Sequence, residues 1–425
     1  MHGTIHRRFT RALLVALPIG LLAGCGTSGR APNLVVIVID TLRADRLGPW
    51  GSTRGLSPFL DSVAARGVVF RRAYAQSSWT DPSVASLVTS RYQSQHGFIG
   101  FGSVLADHEL TLAEVLKERG YGTAGFSANG LLSRKAGFAQ GYETYEAHWL
   151  RRLQGPDGKV RWQNETAERI NRETLAWIDA RAGSGARGPA FLYLQYVEPH
   201  TPYDPPPELL DRVLAGRPRP DLAKVQQTYF RGVVEPLSAD ELRAVEDCYD
   251  ATVMDVDARI RELFDGLAAR GFLDHAVVVI TSDHGEEFKD HGFMGHGGTL
   301  YEELIHVPLI VLPSAPEHAE VDDIVSLVDV APTLLAVAGI PVPASFEGRS
   351  LAAHVVRPSG LAALWRRPAP PAPTDAYSEL LTPETLVEKR LLFHERAIVS
   401  GRRKLITGLH GERELYDLAA DPRER

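Results

Sequence analysis

Aspartate and histidine side chains that could bind a metal ion follow the apolar run Ala276 to Ile280. Asp283 and His284 are adjacent, and His291 and His296 come soon after among five glycines. The apolar run predicts a buried strand of a parallel sheet, and in open α/β sheets catalytic groups gather beyond the carboxyl ends of strands. An adjacent Asp–His pair offers a metal ion one hard oxygen and one borderline nitrogen. The alternative is a surface loop with solvated histidines.

Further candidate residues stand at another strand end, at a helix start and in a proline-rich loop. Asp40 closes an apolar run, and burial of a carboxylate there costs several kcal/mol unless a cation or donors compensate it. Thr80 lies just before a helix predicted to begin at Pro82, where backbone N–H groups favour an anionic oxygen. His200 follows the predicted strand Ala190 to Val197. Simpler roles remain open, an N-cap for Asp40, a helix-start hydroxyl for Thr80 and a structural role for His200.

The elements that must position these residues alternate between strands and helices. This alternation predicts a doubly wound α/β domain with a mostly parallel sheet and helices on both faces. Short strand candidates at 397–400, 404–407 and 414–418 predict a small C-terminal antiparallel sheet. The predicted organisation is a catalytic α/β domain at 33–354, a Pro/Ala-rich linker at 355–375 and a C-terminal subdomain at 376–425.

The N-terminus predicts export. Three arginines precede the apolar run Ala12 to Ala23, which is short for a membrane span and suits a secretory signal. The sequence Leu22-Ala-Gly-Cys25 resembles the lipobox of bacterial lipoproteins, which implies removal of residues 1–24 and lipidation of Cys25 ahead of a tether at 25–32. Because Gly26 is not an aspartate, the resemblance favours the outer membrane, facing the periplasm of the bacterial cell envelope. An ordinary cleaved signal is the alternative.

The composition of the chain bears on which classes of partner it could bind. The 425 residues carry 46 basic and 53 acidic side chains, a net charge of -7, which argues against a nucleic-acid partner. Apart from Cys25 the chain has only Cys248, so no disulfide framework is expected.

Six blocks, in order along the chain, resemble the sulfatase family of the alkaline-phosphatase superfamily. They are Asp40 to Gly51, Ser78 to Arg91 with Gly97, Phe138 to Tyr145, Glu198 to Tyr203, Thr281 to Gly292 with Tyr301 to Pro308, and Ser326 to Thr333 with Glu414 to Leu418. The resemblance covers nearly the whole chain after the signal. It implies an alkaline-phosphatase-like fold and an anionic ester substrate.

Three positions depart from the best-known sulfatase pattern. Thr80 stands where the family has the Cys or Ser that becomes formylglycine, and Val84 stands where the accompanying Arg belongs. Thr41 replaces a second metal-binding Asp. The remaining set is similar to relatives with a threonine nucleophile, such as phosphoethanolamine and phosphoglycerol transferases, which use manganese or zinc. It also resembles phosphonate monoester and phosphodiester hydrolases, apart from their nucleophile.

The resemblance assigns roles to individual residues. It implies one divalent metal ion held by Asp40, Thr80, Asp283 and His284; a histidine beside two carboxylates favours Mn²⁺ or Zn²⁺, with Ca²⁺ or Mg²⁺ possible. It implies catalytic roles for Thr80, as the nucleophile, and for His200 and His296. Weaker candidates for substrate binding are Arg43, which could instead pair with Asp45, and Asn129 and His291.

The sequence therefore predicts a metal-dependent hydrolase that cleaves or transfers a phosphate- or sulfate-type ester, with phosphorus favoured. One alternative is a sulfuric ester hydrolase that works without formylglycine. Another is a non-catalytic, metal-containing binding protein for anionic glycans or lipid headgroups. The organic part of the substrate, the oligomeric state and a lid role for 148–163 and 204–237 stay open.

Overall fold

A computed structural model describes most of the chain after residue 30. The described residues are 31–100, 102–148, 151–154, 160–163, 166–233, 235–313, 318–356, 375–381 and 394–425. The predicted signal peptide, the lipidated Cys25 and most of the linker at 355–375 lie outside them and stay predictions. Within the described ranges, no helix combines the length and the apolar character needed to cross a bilayer.

Seventeen strands form the sheets of the described residues. Their bounds are β1 Asn33–Ile39, β2 Val68–Tyr74, β3 Gly122–Ser127, β4 Thr144–Ala147, β5 Arg151–Gln154, β6 Val160–Gln163, β7 Ala190–Tyr196, β8 Ala276–Thr281, β9 Glu287–Phe288, β10 Met294–Gly295, β11 His306–Val307, β12 Leu309–Leu312, β13 Ala319–Ser326, β14 Asp375–Leu381, β15 His394–Ser400, β16 Arg403–Thr407 and β17 Arg413–Asp417.

Helices cover both faces of the main sheet. The α-helices among the described residues are α1 Pro58–Ala64, α2 Thr80–Thr89, α3 Gln93–His96, α4 Leu112–Glu118, α5 Ala167–Gly183, α6 Pro207–Leu214, α7 Leu222–Gly232, α8 Ala239–Ala269, α9 Glu302–Ile305, α10 Val330–Val337 and α11 Ala352–Val355. Short 3₁₀ turns occupy Ala44–Arg46, Gly48–Trp50, Arg134–Ala136 and Leu327–Asp329.

The main sheet has nine strands within the described part of the chain, in the order β11-β2-β12-β8-β1-β7-β3-β4, with β13 paired to β2. Its centre is parallel, because β1 pairs in parallel with both β7 and β8, and β3 continues the same direction beside β7. β12 runs antiparallel to β8 and β2. The predicted mostly parallel, doubly wound sheet is therefore confirmed.

Alternation along β1 shows how the two faces are covered. Val35, Ile37 and Ile39 join a core that includes residues of α1, α5, α6, α7 and α8. Leu34 and Val36 point the other way, into a core shared with α2, α4 and α10. Successive side chains of a strand point to opposite faces, so a continuous apolar run is the pattern of a strand buried on both sides.

The regions that the sequence left undefined carry regular structure. Within 148–163, β5 and β6 pair antiparallel. Within 204–237, α6 and α7 place Leu210, Leu214, Val225 and Tyr229 in the same core as α8. Of these two helices, α7 reaches the loop after β8, because Tyr229 donates its hydroxyl to Glu286 Oε1 at 3.3 Å.

The predicted C-terminal antiparallel sheet is confirmed, with the order β14-β15-β16-β17. The first strand, β14, was not among the sequence candidates. It joins the sheet to the rest of the unit that begins at Ala31, because Glu379 N donates to Gln76 O at 2.8 Å and Ser378 Oγ donates to Ala75 O at 2.6 Å.

Candidate active site

The two strand-end carboxylates meet at one edge of the main sheet. β1 and β8 are parallel neighbours in register, with Val38 opposite Thr281. Asp40 follows β1 directly and Asp283 follows β8 after Ser282. Both aspartates are fully buried, as is His284. Parallel pairing puts both carboxyl ends at the same edge, so the topology brings together the residues that the sequence predicted as metal ligands.

Three of these side chains form a compact set, which we call the Asp–Asp–His cluster: Asp40, Asp283 and His284. One potential ligand atom from each lies within 4.8 Å of the others. His284 Nε2 is 3.9 Å from Asp40 Oδ1 and 3.8 Å from Asp283 Oδ2. His284 Nδ1 lies 2.9 Å from the carbonyl oxygen of Gly285, and because a carbonyl only accepts, Nδ1 carries the proton and Nε2 keeps a lone pair.

The electrostatics of the Asp–Asp–His cluster favour a bound cation. Burial raises the pKa of Asp40 well above its ordinary value, and the neighbouring charge of Asp283 adds to the rise. Burial also raises the pKa of Asp283 and lowers that of His284. Asp40 Oδ1 is buried with no hydrogen-bond partner among the described residues. A divalent cation would compensate both carboxylates, so the residues present fit a metal ion.

Neutral amides orient the two carboxylates. Asn129 Nδ2 donates to Asp40 Oδ2 at 2.7 Å, and Gln195 Nε2 donates to Asp283 Oδ2 at 3.2 Å. Asn129, predicted from the sequence as a substrate-binding residue, thus contacts a metal-ligand candidate. Gln195 was not predicted from the sequence. It is the one polar amide in β7, whose other residues are apolar or aromatic, and a polar residue near the carboxyl end of such a strand is a signal that could have identified it.

Gln195→Met is expected to weaken metal binding about 10–100-fold, the usual effect of removing a partner that orients a ligand. Methionine preserves the side-chain volume but cannot donate to Asp283 Oδ2. Titration of the metal-free protein with Mn²⁺ or Zn²⁺ against a competing chelator measures the effect. Tyr193, whose hydroxyl donates to Gln195 Oε1 at 2.6 Å, supplies the control Tyr193→Phe, which leaves the amide on Asp283. Unchanged metal affinity in Gln195→Met would reject the assigned contact.

Thr80 stands at the start of α2 beside the Asp–Asp–His cluster. The sequence placed the helix start at Pro82 with Asp81 as the cap, but the helix begins at Thr80, because Ser83 N already donates to Trp79 O at 3.1 Å. Thr80 is 1% exposed, and its Oγ1 lies 3.2 Å from His284 Nε2. The hydroxyl predicted as both nucleophile and ligand is therefore at the candidate metal position.

Asp81 adds a third carboxylate close to this site. Burial, and to a lesser extent the charge of Asp283, raises the pKa of Asp81 to about 7. Its Oδ1 has no hydrogen-bond partner in the described part of the chain. The start of α2 therefore brings both a hydroxyl and an acid to the carboxyl edge of the sheet.

Two of the predicted histidines line the same site. The ring of His296 lies 4.5 Å from that of His284 and 5.1 Å from that of His200, measured between centroids. Burial, and to a lesser extent the neighbouring His296, lowers the pKa of His200 to about 4. Burial alone would lower the pKa of His296 too, but Glu286 outweighs burial and raises it. The pair can therefore hold one cationic and one neutral ring.

Glu286 lies in the candidate site and was not predicted from the sequence. It is fully buried, and its Oε1 lies 2.9 Å from His296 Nδ1. Glu286 follows His284 by two positions, so its place in the predicted metal motif was a signal that could have identified it. The contact with His296 could not be predicted from the sequence.

Arg43 and His291 lie outside this group of side chains. Arg43 makes ion pairs of 2.8 Å with Asp45 and with Asp290. His291 pairs with Glu303 at 2.7 Å between Nδ1 and Oε1, and stacks on Tyr301 at 3.6 Å between centroids. Both line a separate polar cleft of about 400 Å³. Their predicted substrate-binding role gains no geometric support from these contacts.

The sequence matches the Sulfatase family model over residues 32–340, and the model for the C-terminal part of N-sulphoglucosamine sulphohydrolase over residues 289–425. The first match covers well over half of the chain. The chain therefore belongs to the sulfatase family, and it is a sulfatase-family hydrolase, as the motifs predicted.

Curated relatives with about a quarter of residues identical extend over much of the chain. An arylsulfatase of Clostridium perfringens is 26% identical over 75% of this chain and 77% of the relative. An uncharacterized sulfatase, YidJ, of Escherichia coli is 26% identical over 93% of this chain and 82% of the relative. Arylsulfatase K of Bos taurus is 27% identical over 76% of this chain but only 65% of its own length, so the chain spans less than two thirds of that relative.

Solved structures of sulfatases and of phosphonate monoester hydrolases share the fold of this chain. A protein in complex with its substrate D-glucosamine-2-N,6-O-disulfate has a TM-score of 0.72 at 22% identity, covering 93% of this chain and 92% of that one. The phosphonate monoester hydrolase of Agrobacterium radiobacter has a TM-score of 0.73 at 21% identity, covering 92% and 90%. At these identities the likeness concerns the fold, and it leaves the choice between sulfur and phosphorus open.

Proposed function

We propose that this protein is a metal-dependent hydrolase of phosphate-type esters in which Thr80 is the nucleophile. The observation that carries the proposal is the distance of 3.2 Å between Thr80 Oγ1 and His284 Nε2 within a buried set of two carboxylates and a neutral imidazole. A buried hydroxyl at a helix start, next to a candidate cation site, is the arrangement that activates an alcohol as a nucleophile.

Asp40, Asp283 and His284 would hold the metal ion, with Thr80 beside it. When bound, a divalent ion there lowers the pKa of a neighbouring hydroxyl and neutralises charge on the transferring group. One nitrogen ligand beside two carboxylates favours Mn²⁺ or Zn²⁺ over Ca²⁺.

The reaction proceeds in two displacements at phosphorus. In the first, the ionised Thr80 Oγ bonds to phosphorus while the bond from phosphorus to the leaving oxygen breaks, and His296 Nε2 protonates that oxygen. In the second, a water oxygen bonds to phosphorus, the bond to Thr80 Oγ breaks, and His296 takes the proton of the water. The net change is ester plus water to alcohol plus phosphate.

The two histidines divide the remaining work between them. The raised pKa of His296, caused by Glu286 against the opposing effect of burial, keeps that ring protonated and ready to donate. The lowered pKa of His200, caused first by burial, keeps that ring neutral. The two rings pack edge to face. Because only His296 is charged, no charge on His200 repels the His296 cation that faces the anionic ester.

The nucleophile supports phosphorus over sulfur. Formylglycine carries a second hydroxyl on the attacking carbon, which gives its sulfate adduct a route of release by elimination. Threonine has none, so its adduct is released only by a second attack at the central atom. In-line displacement stabilised by electrostatics is the usual chemistry of phosphoryl groups.

Sulfate ester hydrolysis is the second candidate function. The family and the arylsulfatase relatives favour it, as does the match to the N-sulphoglucosamine sulphohydrolase model over residues 289–425. Under this candidate the same side chains act, and the Thr80 adduct is a sulfate ester.

A panel of esters tests the proposal. The purified protein is stripped of metal, reloaded with Mn²⁺, Zn²⁺ or Ca²⁺, and assayed with aryl phosphate monoester, phosphodiester, phosphonate monoester and sulfate ester, while accurate mass identifies any adduct on the Thr80 peptide. We expect turnover of a phosphorus ester, fastest with Mn²⁺ or Zn²⁺, and a phosphorus-containing adduct. Turnover of sulfate alone would establish the second candidate. Metal binding without turnover of any ester would leave the non-catalytic binding protein.

A further inference from the structure

Glu286 is a buried carboxylate with three side-chain donors. Its Oε1 lies 2.9 Å from His296 Nδ1 and accepts the hydroxyl of Tyr229 at 3.3 Å. Its Oε2 accepts the hydroxyl of Tyr203, also at 3.3 Å. The two phenols therefore hold both oxygens of the carboxylate that orients the candidate proton donor.

The two tyrosines come from outside the loop that carries Glu286 and His296. Tyr203 follows β7, whereas Tyr229 belongs to α7 in the 204–237 segment, and their rings meet edge to face at 5.7 Å between centroids. Gly295 makes the approach of α7 possible, because a Cβ atom there would lie 2.9 Å from the hydroxyl oxygen of Tyr229. The position of α7 is thus transmitted to His296 through one buried carboxylate.

We propose that Tyr229 is a positioning residue which, through Glu286, fixes His296 for protonation of the leaving group. This inference rests on the proposed function, in which His296 gives that proton. A carboxylate bound by a single imidazole can pivot about its side-chain bonds, but one whose two oxygens also accept phenols has a fixed plane. Without the Tyr229 hydroxyl, Oε1 is held by His296 Nδ1 alone, and Tyr203 on Oε2 becomes the one phenol that restrains the carboxylate. The direction of the bond from His296 Nδ1 is then less restrained, and the donor nitrogen is less well aligned with the leaving oxygen.

The proposal gives the 204–237 segment a role beyond covering the core. The helices α6 and α7 rest on α8, so a shift of α7 moves Tyr229 and relaxes the placement of His296. The segment thereby sets how well esters with poor leaving groups are cleaved, since only those groups need strong assistance from a proton donor.

The test compares leaving groups in the Tyr229→Phe variant. For the ester class that the wild type cleaves, kcat/KM is measured with a methyl and a 4-nitrophenyl leaving group, because kcat/KM reports the first displacement without the second. We expect the variant to lose about tenfold more kcat/KM on the methyl ester than on the nitrophenyl ester. Tyr203→Phe, which frees the other oxygen, should act in the same direction. Equal losses on both esters would reduce Tyr229 to a structural residue and overturn the proposal.

Tyr196→Phe is the matched control. Tyr196 is buried in the same core as Tyr229, and its hydroxyl donates to Asn171 Oδ1 at 2.5 Å, so the variant also loses one buried phenol hydrogen bond. We expect its ratio of methyl to nitrophenyl rates to equal that of the wild type. A changed ratio in this variant would show that the leaving-group effect follows any lost phenol, which also overturns the proposal.

A second readout separates this inference from the proposed function. In the metal-free protein labelled with ¹⁵N-histidine, the Nδ1 proton of His296 bonded to Glu286 should give a downfield resonance, assigned by its loss in His296→Gln. We expect it to shift or broaden in Tyr229→Phe and to stay in place in Tyr196→Phe. An unmoved resonance in Tyr229→Phe would overturn the proposal. If the resonance moves in Tyr229→Phe while the wild type turns over no ester, the proposed function is rejected and the placement of His296 by Tyr229 is supported.

Discussion

Replacing Thr80 with alanine is expected to lower kcat more than about 10³-fold, because no other hydroxyl takes the place of the nucleophile. Thr80 Oγ1 lies 3.2 Å from His284 Nε2, whereas the ligand atoms of the Asp–Asp–His cluster belong to other side chains. The variant should therefore keep most of its metal affinity, and its small residual rate should come from direct attack by water. Turnover of the cleaved ester and chelator competition measure the two quantities.

Thr89→Ala is the matched control for this loss. Thr89 is buried on the same helix, α2, and its hydroxyl donates to Ala85 O at 2.7 Å, so its removal also costs one buried threonine hydroxyl. We expect kcat within about twofold of the wild type for Thr89→Ala, and partial activity for Thr80→Ser, which keeps the hydroxyl. Activity of Thr80→Ala within about twofold of the wild type would contradict the assignment, and an adduct on another residue would identify the true nucleophile.

The strand-end ligands could be predicted because both strands have a strong pattern. The runs before Asp40 and Asp283 are continuous and apolar, which is the pattern of central parallel strands, and parallel neighbours must end at the same edge. Thr80 required a different signal, the start of a helix. The predicted start of α2, Pro82, is two residues later than the observed start, Thr80. Helix boundaries depend on hydrogen bonds that the sequence does not display.

The histidines after Asp283 could not be separated by the same reasoning. His291 and His296 are five residues apart in one glycine-rich loop, and both looked like candidates. The two-residue strands β9 and β10 turn the chain back on itself, so His291 lies at the turn beside Glu303 and His296 returns to His284. Strands of two residues show no periodicity, so no pattern predicted this reversal.

Partners from distant parts of the chain were missed for a related reason. Gln195 and Tyr229 contact Asp283 and Glu286 across 88 and 57 positions of the sequence. Each is an ordinary residue within its own element, one in a strand and one in a helix. Their function depends on which element packs beside the loop, which is decided by the tertiary fold.

Asp40→Asn is expected to stabilise the protein when no metal is bound and to make it less stable than the wild type when metal is bound. In the metal-free protein the carboxylate of Asp40 is buried beside that of Asp283, and its Oδ1 has no hydrogen-bond partner among the described residues. Asparagine removes that charge while keeping the shape and the contact to Asn129. We expect the metal-free variant to be more stable than the wild type by about 1–3 kcal/mol at pH 7. With saturating Mn²⁺ or Zn²⁺ the wild type should become the more stable protein, since a ligand at about 1,000 times its Kd adds about 4 kcal/mol.

The stability of the metal-free wild type should also depend on pH through Asp40. Burial raises the pKa of Asp40 in the folded protein above its value of about 4 in the unfolded chain, so the folded state binds the proton more tightly. The stability that protonated Asp40 contributes is complete below about pH 4 and is lost as the pH rises through the folded pKa. Metal-free wild type should therefore lose more stability than Asp40→Asn as the pH rises from about 4 to 8.

Asp247→Asn is the control for a buried carboxylate that the chain itself compensates. Asp247 is buried, and its Oδ2 and Oδ1 accept from Arg217 Nη1 at 2.6 Å and from Arg217 Nη2 at 2.9 Å. Removing its charge leaves this arginine without its partner, so the variant should be less stable than the wild type with and without metal. Thermal unfolding of the three proteins, with and without Mn²⁺ or Zn²⁺, decides the matter. A metal-free Asp40→Asn that is less stable than the wild type would mean that the protein itself compensates Asp40, and the case for a cation at the Asp–Asp–His cluster would fall with it.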